Sequence, residues 1–112
     1  MLAHLLNIPS TPEDWATWSW HHRLSHSAIE QAATTKKGIE LTSYVLDPIP
    51  LNHVTDWLER NQQAHIEADA LVGSQSIDLT DVDFQDRNQL QSWIYLHYLD
   101  HQTIERRLGV AS

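Results

Sequence analysis

Only three glycines occur in the chain, Gly38, Gly73 and Gly109, and each follows a long stretch in which apolar residues recur every three or four positions. Glycine is the residue that most readily takes the left-handed backbone ending a helix, so these three divide the sequence into three helical units. The first opens at Ser10-Thr11-Pro12-Glu13, where a hydroxyl can cap, proline suits the first turn, and Glu13 and Asp14 favour the positive helix end. It stops at Lys36-Lys37-Gly38 and carries the stripe Trp15, Trp18, His22, Ser25, Ile29 and Ala32. The second carries Val54, Trp57, Leu58, Asn61, His65, Ala68 and Leu71. The third carries Leu90, Trp93, Ile94, His97, His101, Ile104 and Leu108, with Asp86 as its cap and Gln89 reaching back in a capping box. The pattern predicts an all-α fold, a three-helix up-down-up bundle with helices near residues 12–36, 52–72 and 86–108.

A chain of 112 residues is one domain, 1–112, large enough to bury a core without a disulfide or a structural metal. Residues 1–11 read as an N-terminal extension. Residues 39–51, with Pro48 and Pro50, read as an extended connector that tucks Leu41, Val45 or Leu46 against the bundle, although an edge strand pairing with another chain has the same pattern. Residues 74–85 form a polar, acidic loop long enough to suggest a job of its own.

The absence of cysteine excludes thiolate metal sites, disulfides and thiol nucleophiles. A net charge of −8 argues against nucleic acid as a partner, since Lys and Arg must neutralise phosphates. No apolar run approaches the roughly 20 residues that span a bilayer, and no leader pattern opens the chain, so the expectation is a soluble, unprocessed protein made in a cytoplasm.

The chemistry lies in the histidines. His22 and His26, and again His97 and His101, are four residues apart, so each pair shares one helix face; His65 contributes from the second helix. An acid follows each set by four residues: Glu30, Asp69 and Glu105. With the middle helix antiparallel, counting from the helix ends puts all five within about a turn of one height, in one buried layer. Two readings fit. One is a metal site between the helices, for which neutral imidazole favours zinc, iron, copper or nickel; the other is a metal-free hydrogen-bonded layer packed against tryptophan. In both, buried imidazoles resist protonation, and stability falls below about pH 6 unless the carboxylates pair with imidazolium.

Other patterns are weaker. Asp78, Asp81, Asp83 and Asp86 lack the glycine and distal glutamate of a calcium loop and read as a solvated, helix-capping segment. Ser25 and Ser27 flank His26 without the strained turn a nucleophilic serine needs. Trp20 lies about 200° round from Trp18, and Tyr95 and Tyr98 fall at or beyond the stripe edge, so these three are candidate anchors for a protein partner.

The runs Trp18-Ser19-Trp20-His21-His22-Arg23-Leu24-Ser25-His26, Tyr44-Val45-Leu46-Asp47-Pro48-Ile49-Pro50, Asp81-Val82-Asp83-Phe84 and Trp93-Ile94-Tyr95-Leu96-His97-Tyr98-Leu99-Asp100-His101 resemble a group of small proteins encoded by tailed bacteriophages. The resemblance spans most of residues 15–109. It implies a noncatalytic virion structural or assembly protein, an adaptor, cement or baseplate-associated subunit. Such a protein binds other phage structural proteins as a homo- or hetero-oligomer, is made in the host cytoplasm and is carried in the virion. The alternative from the residues themselves is a helical-bundle metalloprotein holding zinc or iron at His22, His26, His65, His97 and His101.

Overall fold

The computed structural model describes residues 2–42 and 49–110 and is all-helical, with no strand among the described residues. A short 3₁₀ helix, Leu2–Leu6, precedes α1 (Pro12–Lys37), α2 (Thr55–Val72) and α3 (Arg87–Leu108). The molecule measures 39 × 23 × 21 Å, so α1, with 26 residues at about 1.5 Å each, runs its full length.

The ends of the helices follow from local chemistry. Thr11 caps α1: its hydroxyl accepts from the Asp14 amide at 3.1 Å, while the Asp14 carboxylate accepts from the Thr11 amide at 3.3 Å. The Asp86 carboxylate accepts from the Asn88 and Gln89 amides at the start of α3. Gln89 does not complete the expected box; its carbonyl reaches past the cap to the Asp83 amide at 2.9 Å and orders the preceding loop instead. Helix α2 begins three residues later than expected, because His53 N–H donates to Pro50 O at 2.9 Å and closes a turn, and the cap residue Val54 has no side-chain acceptor. All three glycines have left-handed backbones at the helix ends. At Gly109 a side chain would also meet Lys36 Nζ at 2.8 Å, which donates to the Leu108 and Gly109 carbonyls and so ties the end of α3 to the end of α1.

The directions of the helices differ from the expected order. Trp18, His22 and His26 of α1 meet Trp93, His97 and His101 of α3 in rising order, as expected. Helix α2 follows the same sense: Trp57 meets Trp93, Asn61 meets His97, His65 meets Asp100, and the Val72 carbonyl accepts from Arg107. The bundle is therefore parallel throughout, and the chain returns to the starting end twice. On the first return Leu41 lies against the far end of the bundle and Ile49 is buried at the near end, where its amide donates to Ser19 Oγ at 3.4 Å. Residues 43–48, and with them Val45 and Leu46, lie outside the described residues. The second return is the acidic loop. It is not simply solvated: Leu79 is buried, its carbonyl accepts from Trp93 Nε1 at 2.8 Å, and Gln62 grips Leu79 N–H and Ile77 C=O. The job of this long loop is to carry the chain back along the bundle.

Two apolar clusters result. The starting ends of the helices, with the 3₁₀ helix, pack Leu2, Leu5, Trp15, Trp18, Trp57 and Trp93 among others. The finishing ends pack Ile29, Ala32, Ala68, Ile104 and Leu108. The N-terminal extension is part of the first: Leu5 is fully buried, its carbonyl accepts from Trp18 Nε1 at 3.2 Å, and the His4 ring stacks on His21 at 3.9 Å. Between the two clusters lie the histidines.

Candidate metal centre

His22, His65 and His97 each stand ten residues past the first residue of their helix, Pro12, Thr55 and Arg87. In parallel helices equal depth is equal height, so the three imidazoles meet, and His26 and His101 join them from one turn further on. All five are buried, none more than 6 % exposed, and they offer ring nitrogens that all lie within 4.8 Å of one another. The single layer expected from the sequence is present.

The nitrogens converge on one point. His97 Nε2 lies 3.2 Å from His22 Nε2, 2.9 Å from His65 Nε2 and 3.2 Å from His101 Nε2, while His26 Nε2 lies 3.0 Å from His22 Nε2. A neutral imidazole has one N–H and one lone pair. The outer nitrogens fix two tautomers. His65 Nδ1–H donates to the Asp100 carboxylate at 2.5 Å, leaving a lone pair on His65 Nε2. The Ser25 hydroxyl donates to Glu105, so at 2.8 Å His101 Nδ1–H donates to Ser25 Oγ, leaving a lone pair on His101 Nε2. Both lone pairs point at His97 Nε2, which can donate to only one of them, and His97 Nδ1 is buried without a partner. Hydrogen bonding among the imidazoles cannot satisfy this arrangement. A cation at its centre would take up the converging lone pairs, leaving His97 Nδ1–H as the unpaired group.

Aromatic packing holds the rings from the tryptophan side: Trp18 stacks on His22 at 4.8 Å and Trp93 on His97 at 4.5 Å. Burial, followed by repulsion from the neighbouring imidazoles, holds the pKa of His22, His26, His97 and His101 well below the usual histidine range. Each therefore stays neutral and able to coordinate. Burial also raises Glu105, and burial with the facing Asp100 carboxyl pushes Asp69 up to about 7.

The acids are placed differently from the sequence expectation. Asp100, not Asp69, takes the outer nitrogen of His65; Asp69 lies behind it and accepts from Ser74 Oγ at 2.6 Å. Asp100 was identifiable, since it sits three residues after His97 and four before Ile104 on the buried stripe of α3. Glu105 acts through Ser25, and Glu30 is half-buried on α1. The group His65, Asp69 and Asp100 also lies within metal-ligand range, but 2.5 Å between His65 Nδ1 and Asp100 is a hydrogen bond, too short for two atoms bound to one ion. Ser25 sits between an imidazole and a carboxylate, buried, in the wrong order for a nucleophile activated by histidine. In the acidic loop Asp78 accepts from Thr80, Asp83 from Gln85 and Asp86 from the start of α3, so each is used locally.

Of the candidate anchors, Trp20 and Tyr95 are 54 % and 55 % exposed, whereas Tyr98 is half-buried against the tryptophan cluster, its hydroxyl accepting from Gln102 Nε2 at 3.3 Å. No helix among the described residues is long and apolar enough to cross a membrane. Comparison with protein families, curated proteins and solved structures finds no match, so the reading of this centre rests on its geometry.

Proposed function

We propose that the chain is a small noncatalytic structural protein organised around one buried transition-metal ion held by His22, His26, His65, His97 and His101. The observation that carries this reading is His97 Nε2, which faces three other imidazole nitrogens at 2.9–3.2 Å where hydrogen bonding can satisfy at most one. Nitrogens bound to a common ion at about 2.0–2.1 Å come this close. The spread of 4.8 Å suits one ion, since two ions about 3.5–4 Å apart need ligands on opposite sides separated by roughly 7–8 Å. Asp100 and Glu105 supply the outer shell: one holds His65 directly and the other holds His101 through Ser25, which fixes the orientation of both rings. The ligands lie between two apolar clusters with no histidine more than 6 % exposed, which favours a structural over a reactive role. The test is metal content and thermal stability of the purified chain. One ion per chain, with a melting point lowered by chelator and restored by metal, is the expected result. A chain that takes up no metal and melts alike with and without chelator refutes it.

The resemblance to phage proteins adds a setting for such a bundle, as a virion component made in the host cytoplasm that docks on other phage structural proteins. Trp20 and Tyr95 support this second reading, because large aromatics left exposed on rigid helices are the residues that anchor protein interfaces. Mass spectrometry of purified virions, with the Trp20→Ser and Tyr95→Ser variants, tests it: the chain is expected in wild-type particles and depleted for the variants at unchanged stability. A chain absent from particles and monomeric in solution removes this setting.

A further inference from the structure

Every pair of the five imidazoles has ring centroids 4.4–5.3 Å apart except two, His22 with His65 and His26 with His97. An octahedron has this pattern when five of its corners are filled: two pairs stand opposite one another and all other pairs are neighbours. A tetrahedral site has no opposite pairs. The remaining corner is then the one opposite His101, adjacent to His22, His26, His65 and His97.

Asn61 approaches two of the four rings that border this corner, His97 and His22. It is fully buried on α2, one turn before His65, and its side-chain nitrogen lies 3.3 Å from His97 Nε2. Its Oδ1 is buried and has no hydrogen-bond partner. At the same depth, six residues past the first residue of the helix, α1 has Trp18 and α3 has Trp93, so α2 alone brings a polar side chain where its neighbours bring indole. The two ends of a side-chain amide exchange by a half-turn of its last bond and differ only in which carries the protons. Once His97 Nε2 gives its lone pair to a cation it can no longer accept from Asn61, and an N–H aimed at a cation is repelled. The carbonyl end is then the one that faces the ion.

We propose that Asn61 Oδ1 is the sixth ligand, completing an octahedral shell of five imidazole nitrogens and one amide oxygen around a single divalent ion. This deepens the metal reading and rests on it. The shell selects ions that accept six ligands, iron(II), cobalt(II) or nickel(II), over tetrahedral zinc.

Cobalt(II) loaded into the full, chelator-stripped chain reports the geometry directly, since its visible bands are weak in six-coordinate sites and intense in four- and five-coordinate ones. The wild-type chain is expected to bind one cobalt and stay pale. Asn61→Leu fills the same space without a donor; its bands should intensify and its affinity fall about 10- to 100-fold, with helicity by circular dichroism retained. Asn61→Asp keeps an oxygen and should stay pale with shifted bands. Intense bands in the wild type, or an Asn61→Leu protein with wild-type spectrum and affinity, overturn the sixth ligand while leaving the five-histidine site standing. If Asn61→Leu fails to fold, Asn61→Asp decides: wild-type band positions there overturn the assignment. A wild-type chain that binds no cobalt, iron or nickel overturns the metal reading itself.

Discussion

The tryptophan end of the bundle and the histidine layer beside it are equally buried, yet they are held by different means. Trp15, Trp18, Trp57 and Trp93 bury large apolar surfaces against one another, and two of their indole N–H groups find the carbonyls of Leu5 in the 3₁₀ helix and Leu79 in the acidic loop. That cluster leaves one indole N–H, that of Trp57, without a partner, and an indole N–H has no lone pair to offer a cation. The histidine layer packs as closely, but its lone pairs face each other and His97 Nδ1 and Asn61 Oδ1 are left without partners. Equal burial therefore hides unequal completeness. One region is held by apolar packing with a single unpaired N–H; the other gathers lone pairs that the proposed cation would take up.

Removing the cation separates the two regions most sharply. With free metal about 1,000-fold above its dissociation constant, linkage predicts about 4 kcal/mol of added stability, and chelation should remove it. Denaturant titrations with and without chelator measure the difference. Trp15, whose ring partners are Trp18 and Phe84, provides the control in the tryptophan region: Trp15→Ala should cost about 3 to 5 kcal/mol, by the same amount with and without metal. A metal-dependent cost at Trp15 breaks the comparison.

Acid should act on the metal-free layer next. His22, His26, His97 and His101 have lowered native pKa values, so below the unfolded histidine value of about 6.5 the unfolded chain binds protons that the native chain refuses, and stability falls with pH. Asp69, raised to about 7, and Glu105, also raised, work in the opposite sense, since they hold protons in the native state that the unfolded chain has released. Four lowered imidazoles outnumber two raised carboxyls, so the net effect is a loss of stability as pH falls through the unfolded histidine range. Melting curves from pH 5 to 7 in chelator should show it, and a melting point that rises on acidification contradicts it. The smallest effect changes sign. His97→Leu replaces the nitrogen facing three others with an apolar group of similar size, so it should stabilise the metal-free chain by about 1 kcal/mol while abolishing the response to metal.

The sequence makes the layer legible and the path of the chain illegible, for one reason. Helical periodicity reports which face of a helix is buried, and that placed His22, His26, His65, His97 and His101 correctly. It carries no direction. The expected antiparallel α2 still put His65 at the right height because His65 lies near the middle of its helix, where reversing the helix hardly moves it. Direction is written in the connections, residues 38–54 and 73–86, which are longer than antiparallel neighbours need. Asp100 escapes a pattern built on acids four residues beyond each histidine, because it lies three beyond His97 and meets a histidine of another helix. The 3₁₀ helix at Leu2–Leu6 is too short to show a period at all.

The parallel arrangement also bears on how the chain reaches its native state. In an up-down bundle the first contacts form beside short turns and spread from there. Here residues adjacent in sequence across a connection end at opposite ends of the molecule, and the partners of the central layer are 32 to 76 residues apart except within a single helix. Each pairing must close a long loop before it gains anything, which places this helical protein among slow folders more typical of sheets. Because the imidazoles come from all three helices, the proposed ion would find its full set of ligands only after both long connections have closed. Loading and the final step of folding would then be one event, and metal capture should be no faster than the docking of the last helix to join.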